Sequence, residues 1–209
     1  MKITLGWLTE KGACQDAVKR FEETYGQGGA EYQDILDALG KENNAAWASW
    51  LINQAGRTDA VLEVEGDLVC ETSIFFAGFI KVAGRIAAKG IKAGGGIEAG
   101  EGIEAGGGIE AGGGIEAGGG IEAGLDIKAG LGIKAGGDYG IYAGLRIRIS
   151  LKSKYALVIA NVRPENIVLG EFKKLKYEGK HEPTVTIDGE GSAPLAICKA
   201  ALLATGGTP

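Results

Sequence analysis

Isoleucine recurs every six residues at positions 91, 97, 103, 109, 115, 121, 127 and 133. Alanine follows two positions after each, and glycine comes next, from Ile91-Lys92-Ala93-Gly94 to Ile133-Lys134-Ala135-Gly136. A fixed short period constrains architecture more strongly than any local propensity. In a strand, side chains alternate, so the isoleucine and alanine point one way and the Lys or Glu between them points the other. The glycines that follow permit a sharp corner and positive φ. A helix is excluded, because a period of six does not match 3.6 and each glycine costs up to about 1 kcal/mol relative to alanine. One unit cannot bury its apolar face alone, so the hexads must stack over a shared core. Disordered glycine-rich linkers do not place isoleucine in register, and collagen needs glycine at every third position. The reading is a β-solenoid. Three hexads per coil are preferred over two, because Ile with Ala needs a wider interior than a flat coil offers. Lys92, Glu110 and Lys128 then stack on one face.

The same phase starts earlier under less uniform residues. Leu62 with Val64, Leu68 with Cys70, Ile74 with Phe76, Ile80 with Val82 and Ile86 with Ala88 continue it, and Ile141 with Ala143 and Ile147 with Ile149 close it. One residue is lost between Ile86 and Ile91, and two are gained before Ile141. This makes five triangular coils, roughly 24 Å long at about 4.8 Å per coil.

The flanks are different. Residues 1–57 carry apolar residues at helical spacing: Leu5, Leu8, Ala13, Ala17, Val18, Phe21 and Tyr25, then Tyr32, Ile35, Leu36 and Leu39, then Trp47, Trp50, Leu51 and Ile52. Gly40 and Gly56 are natural stops, and Asn43 or Asn44 is a cap. The expectation is a three-helix bundle with a short turn near residues 3–8. It docks on the first coil and covers its open edge, with Trp7, Trp47 and Trp50 in its core. Residues 151–209 are read as a terminal cap, with strands at 155–162, 167–172 and 184–187 and a short helix at 193–204. The class is therefore α+β: a helical bundle (1–57), a β-solenoid (58–150) and a strand-and-helix cap (151–209).

Catalytic signals are weak. The one histidine, His181, lies in a polar loop, and Cys14, Cys70 and Cys198 are far apart and read as reduced thiols of a cytoplasmic protein. Cys70 falls at an inward position. No phosphate loop, calcium repeat or metal cluster is present in the pattern, so neither a catalytic residue nor a cofactor or metal is assigned. No apolar run is long enough for a membrane helix, and the N-terminus lacks a signal pattern.

Charge is the informative surface feature. Net charge is −2 over residues 1–57, −5 over 58–150 and +2 over 151–209. From residue 95 to 127 the acidic residues Glu98, Glu101, Glu104, Glu110, Glu116, Glu122 and Asp126 occur with no basic residue among them. Stacked like charges are unfavourable, so these seven are the candidate partner-binding residues. An acidic stripe fits a basic groove on a protein, and does not itself bind nucleic acid.

The Ile-Glu-Ala-Gly-Gly-Gly hexads joined to a Trp- and Leu-containing helical module resemble phage and prophage proteins with IxAGGx repeats, over residues 1 to about 150. That resemblance implies an accessory protein of a mobile element, acting in the bacterial cytoplasm. Its partner would be a host defence complex such as CRISPR or restriction machinery, blocked by protein contact or nucleic-acid mimicry. The repeats also resemble bactofilins, which implies a scaffold polymerising end to end. The helical module and the C-terminal segment count against that reading, and homo-oligomer formation is left open. Hexapeptide solenoid acyltransferases use a histidine within the coils, and residues 58–150 contain none.

Overall fold

A computed structural model describes residues 1–147 and 156–175. The strand and helix expected at 184–187 and 193–204 lie outside the described residues, as do Ile149, His181 and Cys198.

The N-terminal segment holds four helices: α1 (Leu5–Glu10), α2 (Gln15–Tyr25), α3 (Tyr32–Lys41) and α4 (Ala45–Ala55). The apolar series from Leu5 to Tyr25 is thus split, at a turn where Gly12 takes φ +72°. The Thr4 hydroxyl caps α1 by accepting from the Trp7 N–H at 3.3 Å. Asn44 caps α4 by accepting from the Trp47 N–H at 3.2 Å, and Gly56 ends it at φ +80°. Strands β1 (Lys2–Ile3) and β2 (Ala30–Glu31) pair antiparallel and tie the chain's start to the entry of α3.

The remainder is a parallel solenoid with three faces. The first face stacks β3 (Val61–Val64), β6 (Phe79–Val82), β9 (Ile97–Ala99), β12 (Ile115–Ala117) and β15 (Ile133–Lys134). The second stacks β4 (Leu68–Val69), β7 (Ile86–Ala88), β10 (Ile103–Ala105), β13 (Ile121–Ala123), β16 (Ile141–Ala143) and β18 (Ile167–Leu169). The third stacks β5 (Ile74–Phe76), β8 (Ile91–Ala93), β11 (Ile109–Ala111), β14 (Ile127–Ala129), β17 (Leu157–Ala160) and β19 (Glu171–Lys174). Register pairs such as Ile91 with Ile109 and Ile109 with Ile127 fix three hexads per coil. The isoleucines and alanines fill one continuous interior, with Ile86, Ile121, Ile127 and Ile141 fully enclosed. Cys70 packs against that interior, where the phase places it.

The ladder runs past residue 150. Val158 stacks on Ile127 and Ile167 on Ile141, so 157–174 supply further strands of the same coil under a changed sequence. Ile147, expected to start the last hexad, lies in a bend.

The repeat glycines serve close approach, not positive φ. None between Gly94 and Gly137 has positive φ. The glycine after the alanine sits under a carbonyl of the preceding coil instead, except at Gly106, which faces the Arg146 guanidinium. A Cβ at Gly112, Gly118 or Gly130 would lie 2.2, 2.1 or 1.9 Å from the oxygen of Gly94, Gly100 or Gly112. Gly40 obeys the same rule. It does not stop α3, which runs on to Lys41, and a Cβ there would lie 2.6 Å from the Ser73 oxygen, so glycine lets the helix seat on the solenoid.

Candidate functional site

The three-hexad coil deals successive outward residues to successive faces, which divides the seven acidic candidates. On the third face Glu110 stands between Lys92 and Lys128, at 2.8 and 3.5 Å. Burial of Glu110 disfavours its charge, but Lys92 and then Lys128 outweigh it and hold the carboxyl below its ordinary value. Asp126 sits at the corner before β14. Burial pushes its carboxyl up, and Glu110 adds to the rise. On the first face the outward ladder reads Glu63, Lys81, Glu98, Glu116, Lys134 in successive strands. Glu116 pairs with Lys134 at 2.6 Å. On the second face Glu104 lies directly beside Glu122. There is therefore no single stripe from Glu98 to Glu122, because residues six apart in sequence lie on different faces.

The second face keeps uncompensated acid. Glu104 and Glu122 have no ion-pair partner within 4.0 Å among the described residues, and Ala87 and Tyr142 flank them along the ladder. A shallow trough of about 570 Å³ runs past them, and Glu101, Asp138, Tyr139 and Arg85 also border it, with Arg85 paired to Asp67 at 3.0 Å. Tyr139 is 56% exposed. Its corner is the two-residue gain before Ile141, held by Asn166, whose side-chain amide donates to the Tyr139 carbonyl at 2.7 Å. The sequence signal for the corner was the break in period, but its position beside Glu122 needed the three-fold stacking.

The helical module covers the third face at its first strands, β5 and β8. Phe75 points outward from β5 and is buried with Ala77 in the module's core. Lys92 is buried and donates to the Ser49 hydroxyl of α4 at 3.0 Å. Gln33 of α3 fills the edge of β5. Its amide donates to the Phe75 carbonyl at 2.9 Å and accepts from the Ala77 N–H at 3.0 Å, as an adjacent strand would. Asn43, the αL residue after α3 at φ +57°, accepts from the Ser73 N–H at 3.0 Å.

Asp37 borders this junction and accepts from Gln33 at 2.7 Å. Burial pushes its carboxyl up to about 6, against the Gln33 hydrogen bond that lowers it. The folded chain therefore holds this proton more tightly than the unfolded chain. The associated stability is complete below about pH 4 and is lost as pH rises through about 6. Asp37→Asn, which keeps an acceptor for Gln33, is expected to stabilise the fold at pH 7 by about 1–2 kcal/mol after allowance for solvent screening. It should also flatten the stability profile between about pH 4 and 6. Chemical denaturation across that range measures both, and an unchanged slope refutes the assignment.

Inside the module an apolar cavity of about 320 Å³ lies among Phe21, Tyr25, Leu39, Trp47, Trp50 and Leu51. Trp7, Trp47 and Trp50 pack against the module core from partly exposed positions. Trp7 meets Trp50 edge-on with centroids 6.2 Å apart. Arg20 lies over Trp47 at 5.3 Å and pairs with Glu42 at the cavity's rim.

The helices, their caps and the β1–β2 tie end at the first coil. Residues 1–58 match the family model of the YdhT N-terminal domain. No curated protein and no solved structure matches the chain. The YdhT-like match takes in all four helices and stops before β3, so the contacts of Gln33, Asn43 and Ser49 with the solenoid join the matched part to the unmatched part. Among the described residues no cluster of three or more His, Cys, Asp or Glu could hold a metal ion. No helix among them is long and apolar enough to cross a membrane.

Proposed function

We propose that the chain is a non-enzymatic binding protein whose second face engages a basic surface on a protein partner. The observation that carries this reading is the pairing of Glu104 with Glu122 in register, with no ion pair to either within 4.0 Å among the described residues. The first and third faces intersperse lysines with their glutamates. A ladder maintained for stability alone would do so on all three, because like charges directly opposite one another destabilise a sheet. A partner's Arg or Lys side chains relieve that repulsion, which gives both steering and specificity. Tyr139 and Tyr142 add aromatic area beside the acidic residues, and tyrosine is a residue type enriched in contact hot spots.

The resemblance of the hexads to phage and prophage proteins supports a narrower form of the reading. The partner is a bacterial nucleic-acid-processing complex whose basic groove normally holds a polyanion, and the rigid acidic face competes for that groove. The alternative, an end-to-end scaffold, has less support, because Gln33 occupies the edge of β5 that a stacked copy would need.

The double reversal Glu104→Lys with Glu122→Lys tests the site. Wild-type chain immobilised with bacterial lysate should retain a nucleic-acid-binding protein that salt elutes and duplex DNA displaces. The reversed chain should retain it at least about tenfold less well. Equal retention by both chains overturns the assignment to the second face.

A further inference from the structure

The first face carries an order of charges that suits a second copy of itself. From β3 to β15 its outward residues are Glu63, Lys81, Glu98, Glu116 and Lys134, signs − + − − +. Read backwards, as a two-fold axis through Glu98 requires, the signs are + − − + −. Glu63 then meets the partner copy's lysine at 134, Lys81 meets the glutamate at 116, and the same two contacts recur on the other side of the axis. Four of five positions are opposite in sign, and the fifth sets Glu98 against itself. The reverse reading of the second face sets Glu104 against Glu122 and has no such complementarity.

We infer that two copies of this chain associate face to face and antiparallel through the first face, forming an isologous dimer about Glu98. Three further observations fit this occupant. The face is open from β9 to β15, where Gly96, Gly114 and Gly132 precede its strands and border a trough of about 1150 Å³ that Phe79 lines at the β6 end. Close packing inside the coil does not demand glycine at Gly114, where a Cβ would meet the next coil's oxygen at 3.5 Å, although the same contact at Gly96, at 3.2 Å, is tight. The ladder's side chains are also largely exposed to solvent, with Lys134 and Glu116 already paired at 2.6 Å. Lys81 and Glu63 are 55% and 65% exposed with 3.9 Å between them, and Lys134 and Glu116 are 75% and 56% exposed.

The face's exposed apolar residues also lie at its two ends. Val61, 53% exposed, opens β3, and Val162, 72% exposed, follows Asn161 just beyond β15. The antiparallel arrangement brings each to within about one strand spacing of the other's counterpart, and places the 162–166 turn just past the partner copy's first strand. Five strands at about 4.8 Å, about 16 Å across, bury on the order of 800 Å² in total. That is below the standard size for a stable complex, so the dimer is weak and forms with rising concentration. The inference does not depend on the proposed partner contact, which uses the second face and remains exposed in the dimer.

Sedimentation of the full chain tests it. Wild type should shift from monomer to dimer with concentration, and less so as salt is raised. Lys81→Glu with Lys134→Glu makes an all-acidic face, and Glu63→Lys with Glu116→Lys makes a face basic except at Glu98. Each double variant alone should remain monomeric, because its outward ladder repels itself. A one-to-one mixture should form a heterodimer tighter than the wild-type dimer. Glu98→Gln in the wild-type background should strengthen association a few-fold by removing the like pair at the axis. A wild-type chain that stays monomeric throughout, or a mixture with no heterodimer, overturns the inference.

Discussion

Gly118→Ala is expected to unfold the solenoid at temperatures where Gly114→Ala leaves it intact. The two glycines belong to neighbouring hexads and are four residues apart, yet they occupy different places in the coil. A methyl group at Gly118 would stand 2.1 Å from the Gly100 oxygen and 3.0 Å from its carbonyl carbon, both backbone atoms of the preceding coil. No rotamer relieves that contact. The coil must instead open at the corner where the Gly118 N–H donates to the Ala99 carbonyl at 3.0 Å. Loss of ladder bonds with overpacking puts the cost at about 3–5 kcal/mol. At Gly114 the added methyl meets only the Gly132 oxygen, at 3.5 Å, an ordinary contact. Its φ is not positive, so alanine restricts the unfolded chain more than the folded one and adds up to about 1 kcal/mol of stability. Denaturant titration of the two variants reads the difference directly. Equal loss in both would mean that the corners tolerate or reject side chains without regard to place in the hexad.

Period, phase and coil size were legible in the sequence, since they rest on spacing alone. The isoleucine series requires strands, its alternation requires one shared interior, and the earlier pairs from Leu62 onward share the six-residue step. The role of the glycines was less legible. Glycine at a corner suggests backbone freedom, whereas here it reflects the nearness of another coil, which only the stacked structure reveals. Val158 and Ile167 were legible as strand residues but not as coil residues, because the ladder accepts any inward apolar side chain once the register is set by the coil below. The acidic candidates show a different gap. Glu98, Glu104 and Glu110 are adjacent in the repeat, and three hexads per coil send them to three faces. The spacing was in the sequence, but the neutralisation of Glu110 by Lys92 and Lys128 and the isolation of Glu104 with Glu122 appear only when every third hexad is aligned. Gln33 gave no local signal at all. A glutamine on a helix becomes an edge-strand mimic solely through its contact with Phe75 and Ala77, more than forty residues away in sequence.

That contact leads to the second large effect, at Phe75. The hexad phase directs Phe75 outward, where the next three coils carry Lys92, Glu110 and Lys128, and Phe76 inward. Both are buried, at 4% and 3% exposure, because the helical module covers the outer side of β5. Phe75 is therefore a core residue of the module supplied by the solenoid. Phe75→Ala removes a fully covered ring from between two preformed surfaces, at a cost of about 3–5 kcal/mol. The loss should be uneven. Hydrogen exchange of α3 and α4 should accelerate sharply, since the Gln33, Asn43 and Ser49 bonds to the solenoid depend on the same docking. Coils from Ile97 to Lys134 should keep their protection, because each rests on neighbours built only of hexads. Gln33→Leu provides the companion measurement. It keeps the ring buried but leaves the Phe75 carbonyl and Ala77 N–H without their partner, so α3 should loosen by about 1–3 kcal/mol with less effect on α4. If Phe75→Ala instead lowers protection evenly from α3 to β15, the module and the coils unfold as one unit, and the docking surface is not a separable joint.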